Sequence, residues 1–506
     1  MVQLREPLIE ALRDPQAYPH ETDAIELIET HISWVFLTGP FAYKIKKPVR
    51  FPFLDFSTLD HRKRYCEDEL RLNRRLASEL YLDVVPIGGT RAAPKVGAKP
   101  AIEYAVKMVQ FDVDRTLDRL LDDTTIPIPA IHDLAARLSR FHSELPAASG
   151  EPADQSALEN AAELAESVEA SERGRLEPLI TWTREQSKAL AFALRERERR
   201  GAIKECHGDL HLHNLAWIDD RIVPFDCLEF DRSLRCIDTL DEIAFLVMDL
   251  IAYEREDLAF ELLDRYLELT GDYEGLRVFR FYLVYRALVR SKVCLLAAAQ
   301  HDARNAAPWP KRYLDLADRL IEPSVPLLAI TRGLSGSGKT TITNDLIGRI
   351  PAIRVRSDVE RKRLHGLEPT ERSAPALGRS IYSTAASDAT YDVLARAADA
   401  VLAAGFNVIV DATFLERRRR QAFAALAAAR GAAFMILDFE ADAQELRRRV
   451  AARHEQGNDA SEADLDVLEH QIEHQEPLVD GEPDATIMVD TGADVSIDDL
   501  VRRMKN

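Results

Sequence analysis

GLSGSGKT at Gly333–Thr340 and HGDLHLHN at His207–Asn214, the latter followed by FDCLEF at Phe225–Phe230, decide how this chain is read. The first has Walker A spacing. Gly333 and Gly338 let the backbone fold around phosphate oxygens, with Ser335, Gly336, Ser337 and Thr341 completing the cradle. Amides at the start of a helix expected over Thr340–Ile350 point at the anion, Lys339 neutralises it, and Thr340 ligates Mg2+. The second stretch sets Asp209 and Asn214 five residues apart, the D-x-x-x-x-N spacing of a phosphotransfer loop. The two devices require different backbones, so the chain is expected to carry two ATP-handling domains.

The bulk composition permits this. The 506 residues are 46% hydrophobic and 30% charged, enough for two or three domains with substantial cores. A net charge of -19 argues against a broad nucleic-acid-binding face. Five cysteines without a C-x-x-C pair argue against a disulfide framework or a zinc ribbon and fit a reducing cytoplasm. The opening MVQLREPLIEALRDPQ has no apolar core of a secretory signal. Arg286, Arg290 and Lys292 interrupt the most apolar long stretch, which therefore reads as a helix with a solvated or salt-bridged face, not a membrane span.

Along the chain, ISWVFL and FAYKIKK flank a Thr38-Gly39-Pro40 turn and read as a hairpin. A helix follows over TLDHRKRYCEDELRLNRRLASEL, then two further apolar segments, YLDVVPI and IEYAVKMVQF, and helical sequence over 131–200. A proline-bearing stretch leads into the strand LLAIT, which places a boundary near 325. Beyond it PLLAIT, AIRVRS, FNVIVDA, AFMILDFE and ATIMVD alternate with helix-length segments, the pattern of a parallel α/β sheet. The fold class is thus two domains, α+β for 1–325 and α/β for 326–506.

In the first domain, LAWI-DD-RIVPFD reads as a short hairpin turning at Asp219-Asp220. If Ile218 faces Arg221, Asn214 comes beside Phe225 and Asp226, so an amide oxygen and a carboxylate converge where a hard cation such as Mg2+ would sit. Asp209 is then placed as general base towards a substrate hydroxyl. The plain alternative for His207, Asp209 and His211 is a hydrogen-bonded loop cluster; the later Asp226 weighs against it. These residues resemble the aminoglycoside phosphotransferase and choline-kinase-like family, over about residues 20–320, which implies a bilobal protein-kinase-like fold. The resemblance further implies a strand lysine on the nucleotide phosphates paired with a helix glutamate. Lys44 of FAYK and Glu69 match, with Lys46 on the same strand face and Glu67 two residues from Glu69 as alternatives.

In the second domain, FNVIVDATF ends in Asp411, placed like a Walker B acid in the Mg2+ shell, and no glutamate follows it as in an ATPase motor. Asp358 in SDVERKRL sits after the second strand, facing the acceptor as a base. Arg449 and Arg453 lie four apart on one helix and, with the polar segment EQGNDASEAD, read as a lid in which Arg453 is catalytic. GLSGSGKTT, SDVERKRL, VDATFLERRRR and the late arginines resemble the polynucleotide 5′-kinase and zeta-toxin-like P-loop kinases. That resemblance implies that Asp358 activates an acceptor hydroxyl on a sugar, nucleotide or nucleic-acid end.

The expectation is a cytoplasmic enzyme with two phosphotransfer sites, using ATP and Mg2+ on hydroxyls of small molecules or nucleotides, with no membrane partner. Two alternatives stand beside it: one domain senses ATP and gates the other, or the C-terminal part phosphorylates a nucleic-acid 5′-hydroxyl. Neither the acceptors nor the oligomeric state are legible in the sequence.

Overall fold

The computed structural model describes residues 6–51, 54–121, 125–168, 170–300, 309–369, 371, 384–456, 461, 463–478, 482 and 486–505. Contacts divide the chain into two compact units. The first holds 1–130, 140–153 and 197–246; the second holds 131–139, 154–196 and 247–506, so the segment after 326 lies in one unit with helices from upstream of it.

The first unit is built on an antiparallel sheet of six strands: β1 (Glu26–Glu29), β2 (Ser33–Leu37), β3 (Phe41–Lys46), β4 (Tyr81–Thr90), β5 (Ala93–Val96) and β6 (Ala101–Val109), in the order β1-β2-β3-β6-β4-β5. β2 and β3 form the expected hairpin, with Leu37 opposite Ala42 across the turn. Alternation along β3 sends Tyr43 and Ile45 into a core with Leu12, Phe36 and Ile87, and so sends Lys44 and Lys46 together to the other face. Helix α1 (Leu59–Ala77) is capped by the Thr58 hydroxyl accepting from the His61 N–H, and Cys66 and Ala77 pack it against Tyr81 and Val106. Strands β7 (Leu215–Ile218) and β8 (Arg221–Pro224) form the second expected hairpin, in the register Ile218 to Arg221 and Leu215 to Pro224. Asp219 and Asp220 turn it with positive φ. Helix α2 (Thr239–Ala252) follows.

In the second unit, helices α3 (Glu256–Thr270) and α4 (Leu276–Gln300) precede a parallel sheet. Of the solvated or salt-bridged face expected on α4, the solvated reading is corrected for Arg286 and Arg290, which are buried, and Arg290 Nε donates to the Tyr313 hydroxyl, which itself donates to Asp249. Burial this deep calls for such partners. Lys292 pairs with Glu163 at 2.7 Å.

The sheet comprises β9 (Leu327–Arg332), β10 (Ala352–Arg356), β11 (Asn407–Asp411), β12 (Ala433–Glu440) and β13 (Thr486–Asp490), in the order β10-β11-β9-β12-β13. All its pairings are parallel, and all five expected strands are present. Leu328, Ala329 and Ile330 of the central β9 are fully buried, as a sheet covered on both faces requires. Helices α5 (Lys339–Ile347), α6 (Ser357–Leu364), α7 (Thr384–Ala403), α8 (Arg417–Arg430), α9 (Ala443–Gln456) and α10 (Leu465–His474) follow the strands. Among the described residues, no helix is long and apolar enough to cross a membrane, and all five cysteines are free thiols.

The arginine run at the start of α8 separates by environment. Arg417 and Arg418 face solvent, Arg419 lies over the Tyr391 ring at 3.9 Å, and Arg420 is buried. Arg420 Nε meets Glu482 at 2.6 Å, its Nη1 donates to the carbonyls of Phe414 and Leu415, and its Nη2 donates to that of Pro477. One guanidinium thus ties the turn after β11 to the 476–482 segment. A lysine has neither the fork nor the reach to replace it, so Arg420→Lys should lower stability by about 3 kcal/mol, read as a lower urea midpoint with an unchanged slope.

Candidate active sites

The first site forms where β3, α1 and the β7–β8 hairpin converge. Glu69 is fully buried between two ammonium groups, with Oε1 2.9 Å from Lys44 Nζ and Oε2 2.7 Å from Lys46 Nζ. Lys44 also reaches Asp226 Oδ1 at 2.5 Å, whereas Lys46 is sealed from solvent against Glu229. Lys44 is therefore the lysine nearer solvent, beside half-exposed Asp226, and Lys46 the one sealed behind it. Glu67 is exposed and faces Lys63. Burial alone would raise Glu69, but Lys44 and Lys46 outweigh it and hold the carboxyl at about 2. Burial alone would likewise lower Lys44, yet Asp226, Glu69 and Glu229 push it well above the ordinary lysine range.

Asp209 and Asn214 are joined: Asn214 Nδ2 donates to Asp209 Oδ2 and to its backbone carbonyl, both at 2.9 Å. The Phe225 N–H donates to the Asn214 carbonyl, the hairpin contact that brings Asp226 alongside. Asp226 has φ 60°, and its N–H donates to the Tyr81 hydroxyl at 3.0 Å. The Asn214 Nδ2 is directed at Asp209, and the Asp226 carboxylate beside Lys44 is half-exposed. An amide oxygen and a carboxylate, the donor types these two residues carry, suit a hard divalent cation. Beneath the loop, buried Glu242 accepts the Gly208 N–H at 2.8 Å and lies 2.7 Å from His142 Nε2, while His207 Nε2 lies 2.9 Å from the Phe225 carbonyl. The sequence reading missed Glu229, Glu242, Tyr81 and Asn73, whose Oδ1 accepts from Cys227 N–H. Of these only Glu229 had a local signal, as the second acid of FDCLEF.

The second site lies at the C-terminal end of β9. Gly333, at φ 146°, admits no side chain, since a Cβ would come 2.6 Å from the Phe439 carbonyl; Gly338 caps α5 at φ 82°. Lys339 Nζ donates to the Gly333 and Leu334 carbonyls at 2.9 and 2.8 Å. Burial pulls its ammonium down to about 8, offset in part by Asp411 and Asp358. Thr340 Oγ1 donates to Asp411 Oδ2 at 2.8 Å, so the hydroxyl and carboxylate expected to hold Mg2+ do converge, and their chemistry fits that ion.

Asp358 stands on the first turn of α6, 2.5 Å from Arg361 Nη1. Burial would raise it, but Arg361, the Ser461 hydroxyl, Arg356 and Arg453 hold it ionised. Arg449 braces the P-loop through the Gly336 carbonyl at 3.4 Å and the Thr491 carbonyl at 2.8 Å, and Thr491 Oγ1 donates to the Ser337 carbonyl. Arg453 donates to the Ala463 carbonyl. Lys339, Thr340, Asp358, Asp411, Arg449 and Arg453 line one open cleft of about 1260 Å³, with Ser335, Gly336, Gly338 and Thr341 along its floor. Ser337 lies buried beneath. Of the segment expected to form the lid, residues 457–460 and 462 lie outside the described residues. Arg419 of the arginine run at 417–420 also lines the cleft, as do Arg356, Tyr391 and Gln471, which went unnoticed in the sequence; Gln471 Oε1 accepts the Ser335 N–H at 2.8 Å.

A lysine–glutamate pair with a D-x-x-x-x-N loop in the first unit, and a P-loop with its paired acid in the second, are those of a kinase-type phosphotransferase with a protein-kinase-like part and a P-loop nucleotide-binding part. A family model described as "AAA domain" matches residues 328–478. Uncharacterised proteins of Mycobacterium tuberculosis and Mycobacterium bovis are 30% identical over 451 residues, covering 86% of this chain and 88% of each relative. The chain belongs to the family of these mycobacterial proteins. Among solved structures, it is similar to a choline/ethanolamine kinase family protein from Mesorhizobium loti (12% identical, 62% of this chain and 95% of that one, TM-score 0.41). It is also similar to a putative kinase from Chloroflexus aurantiacus (20% identical, 36% of this chain and 96% of that one, TM-score 0.30).

Glu69 has a depressed pKa in the fold, so its contribution is present above the unfolded value of about 4.3 and lost as pH falls from there through about 2. Glu69→Gln should therefore cost about 3 kcal/mol at pH 7, from leaving two buried ammonium groups short of a partner, and much less at pH 3. Urea unfolding of both proteins at the two pH values checks this.

Proposed function

We propose that the chain is a bifunctional, cytoplasmic ATP-dependent phosphotransferase. One catalytic module spans 1–325 and the other 326–506, and each moves the γ-phosphate of ATP to a hydroxyl of a small molecule, sugar or nucleotide. The observation that supports this reading is duplication: each site has its own buried lysine and its own aspartate hydrogen-bonded to a neighbouring polar side chain, Asp209 to Asn214 in one and Asp411 to Thr340 in the other. Mg2+, held by Asn214 and Asp226 in one site and by Thr340 and Asp411 in the other, would supply neutralisation of phosphate charge.

The remaining work falls to the protein's own groups. In the first module Lys44, anchored by Glu69, holds the nucleotide phosphates, and Asp209, oriented by Asn214, accepts the proton of the acceptor hydroxyl. In the second, Lys339 exchanges loop carbonyls for phosphate oxygens, the P-loop amides receive the anion, and Asp358 takes the proton. Arg453, which also lines the cleft, supplies positive charge that offsets the negative charge of the transferring group. Ionised Asp358 and ionised Asp209 are the forms this chemistry needs.

A cytosolic metabolite extract incubated with ATP, Mg2+ and purified protein, followed by mass spectrometry, tests the proposal. Two phosphorylated products are expected, one reduced about 10²- to 10⁴-fold by Asp209→Asn and the other by Asp358→Asn, with each variant sparing the other product. Products that survive both substitutions would refute the assigned bases. A single product lost in both would favour a site that gates its neighbour.

A further inference from the structure

Within the second unit, α3 lies along β10, the outer strand of the parallel sheet, and covers an edge that would otherwise present unpaired backbone groups. The contact is specific. The Arg354 N–H donates to Asp264 Oδ1 at 2.6 Å, and the Tyr273 hydroxyl donates to the Arg354 carbonyl at 3.4 Å, so both backbone groups of one edge residue are met from residues ahead of the P-loop segment.

Glu261, Asp264 and Glu268 form a stripe along one face of α3, at the spacing of one helical face. Glu268 Oε2 lies 3.3 Å from Arg356 Nη1 and 3.6 Å from Arg354 Nη2, and its backbone carbonyl accepts from Arg363. All three carboxylates are buried. Burial would raise Glu268, but Arg356, Arg354 and Arg265 outweigh it and hold the group ionised. Arg356 closes β10, lines the nucleotide cleft and stands two residues before Asp358.

We propose that Glu268 is a positioning residue for the P-loop reaction: it fixes Arg356 in the wall of the cleft beside Asp358, while Asp264 and Tyr273 hold the strand that ends in Arg356 and leads into the helix of Asp358. The inference rests on the phosphotransfer reading of the P-loop site. It assigns to an upstream helix part of the geometry of a site whose motifs all lie beyond residue 326. Without the Glu268 charge, the closely grouped cations Arg354 and Arg356 lose their shared counter-ion, and Arg356 loses the carboxylate that α3 supplies to it.

The test uses the full chain. P-loop turnover is defined as the activity lost in Lys339→Ala. Glu268→Gln should lower its kcat by about 10- to 100-fold with the KM for ATP within about twofold of wild type, and Glu268→Asp should recover part of the loss. Hydrogen exchange of the 352–358 backbone should rise in Glu268→Gln and Asp264→Ala, while that of 407–411 stays unchanged. Unchanged kcat, or loss only in proportion to the unfolded fraction, overturns the proposal. If wild type shows no Lys339-dependent turnover, the phosphotransfer reading has failed on its own account and exchange decides the clamp. ATP should then protect 352–358 in wild type and not in Glu268→Gln; equal protection in both overturns it.

Discussion

A buried ammonium group has to be matched by negative charge or by well-placed acceptors, and both candidate sites are organised by how they meet that demand. At the first, carboxylates do the matching in advance: Glu69 bridges Lys44 and Lys46, and Asp226 and Glu229 complete the set. At the second, the partners of Lys339 are mainly the neutral carbonyls of its own loop, which leaves the ammonium close to losing its proton. A phosphate oxygen arriving there would find a cation whose charge is only partly satisfied, whereas Lys44 would have to share itself between phosphate and carboxylates already in place.

The same demand shapes the surroundings. Arginines in the second unit reach deep into the fold because each has acceptors waiting. Arg420 is held by Glu482 and four backbone carbonyls, Arg332 by Asp438, and Arg354 by Asp264 and Glu268. The consequence for the P-loop site is that its walls are set by packing remote in sequence. Arg449 braces the loop through Thr491 just past the last strand, and Arg356 is paired with α3 from ahead of the first. Position, not merely presence, of such cations decides what they contribute to transfer.

How far the sequence could be read follows from the range over which each feature is encoded. A Walker A loop or a D-x-x-x-x-N loop is a stretch of backbone whose glycines and polar side chains specify their own conformation, and the two-residue turn at Asp219-Asp220 carries register information directly. The parallel sheet announces itself through buried apolar runs. Lys44 and Lys46 could not be ranked, because strand alternation puts them on one face and both reach Glu69. Nor could the four arginines of 417–420 be told apart, since neighbouring identical residues on a helix take different faces.

The sequence by itself determined that two phosphate-handling devices share this chain, which strands carry the second, and which residues supply Asp209, Asn214, Lys339 and Thr340 to their loops. These are short-range properties of backbone conformation and hydrophobic period. Only the tertiary structure decided that Lys44 stands nearer solvent with Lys46 sealed behind it, that Glu229 and Glu242 underpin the first site, and that Asp264, Glu268 and Tyr273 hold β10. Each of those depends on which distant charges are buried together, and the cost of burying charge is settled by three-dimensional neighbours that no local pattern records.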